Sequence, residues 1–150
     1  MKKQYFLLFA LFILFSCNKS SMTDTGLKQG ATGKVLWFEG NMMPSIGREM
    51  PKGKPVVREI YFCKPTKMGM LKQEGSIFQD VNEIAIKSVK TDSNGQYKIT
   101  LDAGKYSVFT KEESGFFANG FDGKNMINLI EVKEGEVTTF NIDINYQAVF

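Results

Sequence analysis

A two-residue repeat of apolar side chains in residues 138–150 constrains the fold of this chain most strongly. Phe140, Ile142 and Ile144 alternate with polar residues that include Asn141 and Asp143. A period of two is typical of a strand with one buried and one solvated face, whereas an amphipathic helix has a period of 3.6. The same alternation recurs over residues 96–101. The sequence therefore predicts an all-β fold.

Five further segments are rich in β-branched and aromatic residues, which favour strands. Turn sequences at Asn94-Gly95, Ala103-Gly104 and Glu134-Gly135 separate several of the segments. Short strands broken by such turns are typical of a sandwich or barrel, so we predict a seven-stranded antiparallel, Ig-like or prealbumin-like β-sandwich. The predicted strands are 34–39, 56–64, 83–91, 96–101, 105–111, 126–132 and 138–150. Residues 41–55 are predicted to be a long loop, and residues 66–80 to be irregular with room for one helical turn.

The N-terminal segment has the features of an export signal. Lys2 and Lys3 precede an apolar run over residues 5–15, which is too short to span a membrane. Leu14-Phe15-Ser16-Cys17 then resembles the lipobox of bacterial lipoproteins. That resemblance implies cleavage after residue 16, a diacylglyceryl group on Cys17 and acylation of its amine, for example with palmitate. The alternative is an ordinary signal peptide in which the cysteine is incidental.

The residues that follow Cys17 suggest a destination and a domain boundary. Asn18 stands where an Asp would retain some lipoproteins at the inner membrane, so we expect a lipid-anchored outer-membrane protein that faces the periplasm or the cell surface. Residues 18–32 are polar and rich in Gly, Ser and Thr, which is typical of a flexible tether. The predicted domains are a signal peptide at 1–16, a lipidated tether at 17–32 and a sandwich at 33–150.

Composition argues against several functions. The formal charge is +3, and Lys2 and Lys3 would leave with the signal, so no nucleic-acid partner is expected. The chain has no histidine, the commonest general base and zinc ligand. Cys63 would be the one free thiol, but a nucleophilic cysteine normally needs an adjacent base, so a half-buried strand position is expected. We expect neither catalysis nor a cofactor.

Several residues resemble the motif of carboxypeptidase regulatory-like domains, which show T-D-x-x-G-x-Y, a Leu and then P-G-x-Y-x-V. Here residues 91–97 read TDSNGQY, Leu101 follows, and residues 103–108 read AGKYSV, with Ala103 in place of Pro. The resemblance implies a transthyretin-like seven-stranded sandwich over about residues 33–147 and says little about function. Enzymes on related scaffolds use histidines, which this chain lacks. Longer strings, such as YSVFTKEESGFFANGFDG, are similar to a group of bacterial lipoproteins on that fold.

The loop that reads SGFFANGFDGKN, residues 114–125, is the main candidate for binding a protein or glycan. Three glycines predict flexibility, and loops often carry binding residues. One interpretation is an exposed aromatic patch that docks a partner. The other is that the phenylalanines close the end of the sandwich. The candidate partner-binding residues are Phe116, Phe117, Asn119, Phe121 and Asp122.

Three other chemistries are weaker interpretations. Calcium could use the oxygen donors of Asn119, Asp122 and Asn125 with those of Glu112 and Glu113, but no EF-hand spacing is present, and no metal site is predicted. A Lys34 link to Asn141 or Asn145 would resemble the self-crosslinks of surface pilins, but the alternation places both asparagines toward water. Trp37 could stack on a sugar, although it shares a strand face with Val35 and fits a core position.

These observations predict a membrane-anchored, non-catalytic β-sandwich that acts as a binding or structural module of the cell envelope. An alternative is a carbohydrate- or peptide-binding accessory protein of an outer-membrane uptake system. The rival from another class is a cryptic hydrolase, which would need Glu and Asp side chains gathered around an open cleft.

Overall fold

The computed structural model describes residues 26–47 and 49–150 of the 150-residue chain. The predicted signal peptide, Cys17 and most of the predicted tether therefore lie outside the described residues. Within them the chain is all-β, with one 3₁₀ turn at Val81–Ile84. No helix in this part of the chain has the length and apolar character needed to cross a bilayer. The strands are β1 (Gly30–Asn41), β2 (Lys54–Pro55), β3 (Glu59–Cys63), β4 (Gln73–Glu74), β5 (Ile77–Phe78), β6 (Ala85–Lys90), β7 (Gln96–Ile99), β8 (Gly104–Glu112), β9 (Gly115–Phe117), β10 (Leu129–Val132), β11 (Val137–Thr139) and β12 (Ile142–Val149).

The strands form two sheets. In the five-stranded sheet, the first half of β1 pairs with β7 and β11, and its second half pairs with β2 and β12. The seven-stranded sheet has the order β4-β5-β9-β8-β3-β6, and β10 also pairs with β8. Antiparallel pairs dominate, which agrees with a β-sandwich. All seven predicted segments contain a strand, and the last predicted segment is divided between β11 and β12 by a break at Phe140 and Asn141.

The prediction of a wholly antiparallel fold was wrong for one strand. β1 pairs in parallel with both β11 and β12, in the register Val35 opposite Ile142 and Trp37 opposite Ile144. Half-buried parallel and antiparallel strands show the same alternation of side chains, so a period of two does not reveal strand direction. The three predicted turns also join strands of different sheets, since β7 and β11 pair with β1 whereas β6, β8 and β10 do not.

The predicted domain boundary at residue 33 was also misplaced. Gly30, Ala31 and Thr32 already belong to β1 and pair with β11, and Ala31 is fully buried. Gln29 donates its side-chain amide to the carbonyl of Leu101 at 2.9 Å. Small and polar residues resemble a tether in sequence, but here they allow close packing of β1 between its neighbours. The folded domain therefore begins before residue 30.

Two buried clusters hold the fold together. The first lies between the sheets and contains Val35, Phe62, Tyr97, Val108 and Ile144, among others. The second contains Cys63, Phe78, Phe109, Phe116 and Ile127. All its members come from the seven-stranded sheet and its connecting loops, and Phe62, Val108 and Phe117, which neighbour three of them in sequence, belong to the first cluster. The sheet is therefore covered on both faces where β3, β8 and β9 lie side by side, whereas most of β6 is exposed.

The irregular segments differ in how well they were predicted. Residues 42–47 and 49–53 lie in the expected long loop, in which Met43, Ile46 and Met50 are exposed. Residues 66–80 instead contain the short hairpin of β4 and β5, with Gly75 in a positive-φ conformation at its turn. The helical turn expected there follows as the 3₁₀ turn Val81–Ile84.

Candidate functional site

The structure excludes an exposed patch of three phenylalanines. Phe116 is 3% exposed and Phe117 is 0% exposed. Both lie on β9, which pairs with β5 and β8 inside the seven-stranded sheet. Consecutive strand residues point to opposite faces, so Phe117 joins the cluster between the sheets and Phe116 joins the second cluster. The proposal that Phe116 and Phe117 contact a partner was therefore wrong, because both faces of this sheet are covered.

The other predicted residues do not converge on one point. Phe121 is 43% exposed and forms an isolated bridge with Ile127. Asn119 is exposed, and its amide nitrogen donates to the carbonyl of Asp143 at 3.2 Å and to Oδ1 of Asn145 at 3.1 Å. Asn119 thus connects the loop to β12 and has a structural role in addition to any contact with a partner.

The loop is held by its own hydrogen bonds, contrary to the prediction of flexibility. Oδ1 of Asp122 accepts the backbone N–H groups of Lys124 and Met126, each at 2.8 Å. The bond from Met126 is the main reason that the pKa of Asp122 lies below its ordinary value. Asn128, although its φ is positive, accepts the N–H of Gly120 and donates to the carbonyl of Val108. These side chains stabilise the turn geometry.

The carboxylates weighed as calcium ligands are separated in the fold. Glu112 is buried and binds Arg58 and Tyr146, whereas Asp122 is exposed within its own turn. In the described part of the chain, no three acidic, histidine or cysteine side chains come close enough together to hold a metal ion.

The side chains weighed for covalent chemistry are also engaged elsewhere. Cys63 lies on a strand, β3, as predicted, but it is fully buried rather than half-buried. Burial raises its pKa to about 12, so the thiolate is scarce at neutral pH. Asn141 uses its Oδ1 to accept the backbone N–H of Lys34 at 2.9 Å. The two segments considered for a crosslink are therefore joined by a hydrogen bond, which involves the main chain of Lys34 and not its side-chain amine.

Tyr146 on β12 is the aromatic side chain that the structure places most favourably for binding. The residue is 37% exposed, and its ring packs edge to face with that of Trp37, with ring centroids 5.3 Å apart. Phe117 lies on another side, at a centroid distance of 5.5 Å. Trp37 is itself positioned by a bond from its indole N–H to Glu39 at 3.0 Å. Trp37 is half-buried and packs against the cluster between the sheets, as its strand face predicted.

A partly buried ion pair, between Arg58 and Glu112, fixes the hydroxyl end of Tyr146. The hydroxyl donates to Oε2 of Glu112 at 3.1 Å, while Nε of Arg58 donates to Oε1 at 2.9 Å. The Glu112 side chain is almost fully buried, and this burial raises its pKa above the ordinary value even though both bonds act to lower it. The guanidinium of Arg58 also lies 5.6 Å from the centre of the Trp37 ring, a cation–π geometry. The Tyr146 side chain is therefore held in place by contacts on several sides.

The exposed part of Tyr146 borders an open cleft of about 490 Å³ between β12 and the β4–β5 hairpin. We name this the Tyr146 cleft. Gln79 is oriented within it by donating its amide to the carbonyl of Ser114 at 2.9 Å. The cleft is lined by Glu74, Gly75, Ser76, Ile77, Gln79, Ser114 and Tyr146.

Another open cleft, of about 510 Å³, lies beside the loop that contained the predicted residues. Asp122, Lys105 and Lys124 line it together with apolar residues that include Met126 and Leu129. Asp122 is thus the one predicted binding residue that borders a described cleft. Its Oδ1 already accepts two backbone N–H groups, so this oxygen is engaged within the loop itself.

Sequence reasoning missed Tyr146 because the alternation assigned it to the buried face with Ile142 and Ile144. The pairing of β1 with β12 shifts register after Trp37. Trp37 lies opposite Ile144 and Glu39 lies opposite Gln147, so β12 contains one extra residue here. The Tyr146 side chain nevertheless keeps the direction that the alternation predicted, because it bonds to Glu112 of the facing sheet and packs on Phe117 of the cluster between the sheets. The alternation could not show that this end of β12 stays partly exposed, because that depends on how the two sheets pack.

Comparisons of the chain with protein-family models, with curated proteins and with solved structures find no match. The site is therefore interpreted from its own geometry.

Proposed function

We propose that this chain is a lipid-anchored, non-catalytic binding module of the bacterial outer membrane whose ligand site is the Tyr146 cleft. One observation carries the binding part of the proposal. Tyr146 is an aromatic ring held by Trp37, Phe117 and Glu112, and its exposed part borders an open cleft. Binding sites typically combine such apolar or aromatic surface with a few oriented polar groups.

The chemistry of the described residues supports a non-catalytic role. Glu112, the buried carboxylate with a raised pKa, has both oxygens occupied by Arg58 and Tyr146. Cys63 is buried and has a raised pKa. A hydrolase built on paired carboxylates would bring two of them to one cleft. Each of the two described clefts is lined by one carboxylate, Glu74 in one and Asp122 in the other.

We further propose that the two sheets are a variant of the seven-stranded carboxypeptidase regulatory-like sandwich. The residues of the motif occupy structural positions that support this assignment. Gly95 has a φ of +72° at the turn, and Asp92 accepts the N–H groups of Asn94 and Gln96. Tyr97 and Val108 are buried between the sheets. The additional short strands would be elaborations of that core.

The anchoring part of the proposal rests on Leu14-Phe15-Ser16-Cys17 and is tested by mass spectrometry of the protein purified from membranes. We expect an acylated N-terminal Cys17 and recovery with the outer membrane after fractionation. The Cys17→Ala variant should lose both properties. Cys63→Ala is the matched control, because it removes the other cysteine and should retain both. An unmodified Cys17 in the wild-type protein would refute lipid anchoring.

A further inference from the structure

We propose that the Tyr146 cleft binds an uncharged carbohydrate chain, with one sugar ring lying against Tyr146. This inference rests on the proposed binding function and assigns the class of ligand. The faces of sugar rings carry C–H groups that pack on aromatic rings, while their hydroxyls need donors and acceptors around the rim. A tyrosine with an apolar body and a fixed polar end suits this task.

The first argument is that the Tyr146 side chain is held rigidly. The Tyr146 hydroxyl is bound to Glu112, and its ring contacts Trp37 and Phe117. Little side-chain freedom remains to be lost when a ligand packs on the exposed surface, which favours affinity. Phe121 is exposed to a similar extent, but it lies in the loop beside the other cleft and is not a residue of this one.

The second argument is the set of polar groups beside the ring. Four polar residues line the cleft: Glu74, Ser76, Gln79 and Ser114. Gln79 is oriented by its bond to Ser114, and its amide oxygen has no partner among the described hydrogen bonds. Hydroxyl, amide and carboxylate groups of this kind can each bond to sugar hydroxyls, which both donate and accept.

The third argument is charge, which disfavours an acidic ligand. Among the described residues that line the cleft, Glu74 carries the only charge. The pKa of Tyr146 is raised mainly by burial, and the negative charges of Glu112 and Glu113 add to this effect, while the positive charge of Arg58 is balanced by Glu112. A uronic acid or a peptide carboxylate would therefore meet net negative charge, whereas a neutral glycan would not.

The fourth argument favours a glycan over an extended peptide. A peptide that added to a sheet at this cleft would need the free edge of β12, which pairs with β1 alone, or that of β4, which is only two residues long. Asn119 already bonds to the carbonyl of Asp143 on this strand and to the side chain of Asn145. Part of the edge is thus occupied by the protein itself.

The test uses Trp37, the single tryptophan of the chain, as a reporter because its ring lies 5.3 Å from Tyr146. Acylated full-length protein in a detergent without sugar groups is titrated with cellohexaose, xylohexaose, maltohexaose and chitohexaose. A hexagalacturonate and a tryptic digest of casein provide the acidic and peptide probes. We expect a saturable change in Trp37 emission with at least one neutral hexasaccharide and none with the other two probes.

Variants distinguish binding at the cleft from binding elsewhere. Tyr146→Ala should weaken binding at least about tenfold, as expected for a central aromatic contact. Tyr146→Phe, which keeps the ring, should stay within about threefold of the wild type. Glu74→Ala changes only an exposed residue of the cleft rim and should weaken binding without altering the fold. Phe121→Ala is the matched control and should bind as the wild type does. Calorimetric titration and circular dichroism accompany each variant.

Each outcome decides the inference. Neutral-sugar binding that is lost in Tyr146→Ala or Glu74→Ala and retained in Phe121→Ala supports it. Binding of only the peptide digest or the hexagalacturonate overturns the carbohydrate inference but leaves the proposed binding function standing. No binding of any probe overturns both, and neutral-sugar binding that is unchanged in both cleft variants overturns the placement of the site.

Discussion

Gly33 and Phe140 approach so closely that a Cβ atom on Gly33 would overlap the carbonyl oxygen of Phe140. The same carbonyl accepts the hydroxyl of the buried Tyr97 at 2.6 Å. Gly33 lies on β1, and Phe140 lies at the break between β11 and β12. This contact therefore joins the central strand to the last segment of the five-stranded sheet.

Gly33→Ala should lower the free energy of unfolding by about 3 kcal/mol or more, because the clash is with main chain that cannot move aside without breaking pairs. Gly123→Ala is the matched control, since a Cβ atom on Gly123 would meet no atom within 4 Å beyond its chain neighbours. That change should stay within about 0.5 kcal/mol of the wild type. Urea unfolding of both variants provides the measurement, and equal stability of the two would contradict the close approach.

Phe116→Ala and Phe117→Ala should each lower the free energy of unfolding by about 3–5 kcal/mol, the range for deleting a buried aromatic ring. Each ring is buried in a different cluster, so both variants should be affected. Phe121→Ala should cost less than about 1 kcal/mol, because its ring is already 43% exposed. Thermal and urea unfolding test this order. A Phe117→Ala variant as stable as the wild type would contradict the burial.

Ile142→Ala should cost about 2–5 kcal/mol, since Ile142 is buried between the sheets. Asn141→Ala should cost about 1 kcal/mol, because it removes a single bond from the backbone N–H of Lys34 that water can replace at this exposed position. Urea melts of the two variants decide the comparison. Equal costs would show that the assigned face of the strand is wrong.

Stability should depend on pH through Glu112. Burial is the main influence on its pKa and raises it above the ordinary value of 4.5, so the folded protein holds this proton more tightly than the unfolded chain. The contribution of Glu112 to stability is therefore greatest at low pH and falls as the pH rises through the folded pKa. Glu112→Gln has no titratable group at this position and serves as the reference.

The free energy of unfolding of the wild type, relative to Glu112→Gln, should decrease as the pH rises above 4.5, the ordinary pKa of Glu112. Urea melts of both proteins from acid to neutral pH measure the difference. If the difference grew with pH instead, the attraction of Arg58 would outweigh burial, and the pKa of Glu112 would be lowered.

The sequence was sufficient to predict the longer strands because burial of one face imposes a local period of two. Four strands of two or three residues, β2, β4, β5 and β9, lie outside the predicted segments. Ile142 and Ile144 are buried, and Asn141 and Asp143 are exposed, as that alternation predicted. Strand direction was not predictable, since β1 and β12 pair in parallel across about a hundred residues of sequence. Asn94-Gly95 marked a turn correctly, but a turn sequence does not reveal that its flanking strands lie in different sheets.

The candidate site was predicted less well, because it depends on tertiary contacts. Arg58, Glu112 and Tyr146 are distant in sequence and form a unit only when the sheets pack. The composition of the aromatic loop suggested a binding patch, yet Phe117 packs in the cluster between the sheets and Phe116 packs in the second cluster. A local cluster of rings cannot be divided into buried and exposed members until the pairing of β9 is known.

The length of β1 limits what the exposed loop after it can reach. Twelve residues in extended form place the 42–53 loop about 40 Å along the strand from Gly30. The residues between Cys17 and Gly30 span at most about 45 Å when fully stretched. If Cys17 carries the lipid and β1 stands upright with this loop toward the membrane, Gly30 lies about 40 Å from the bilayer, and the connecting residues must be almost fully extended. In the reverse upright orientation the connection can be short, and Met43, Ile46 and Met50 then face away from the membrane that holds the lipid.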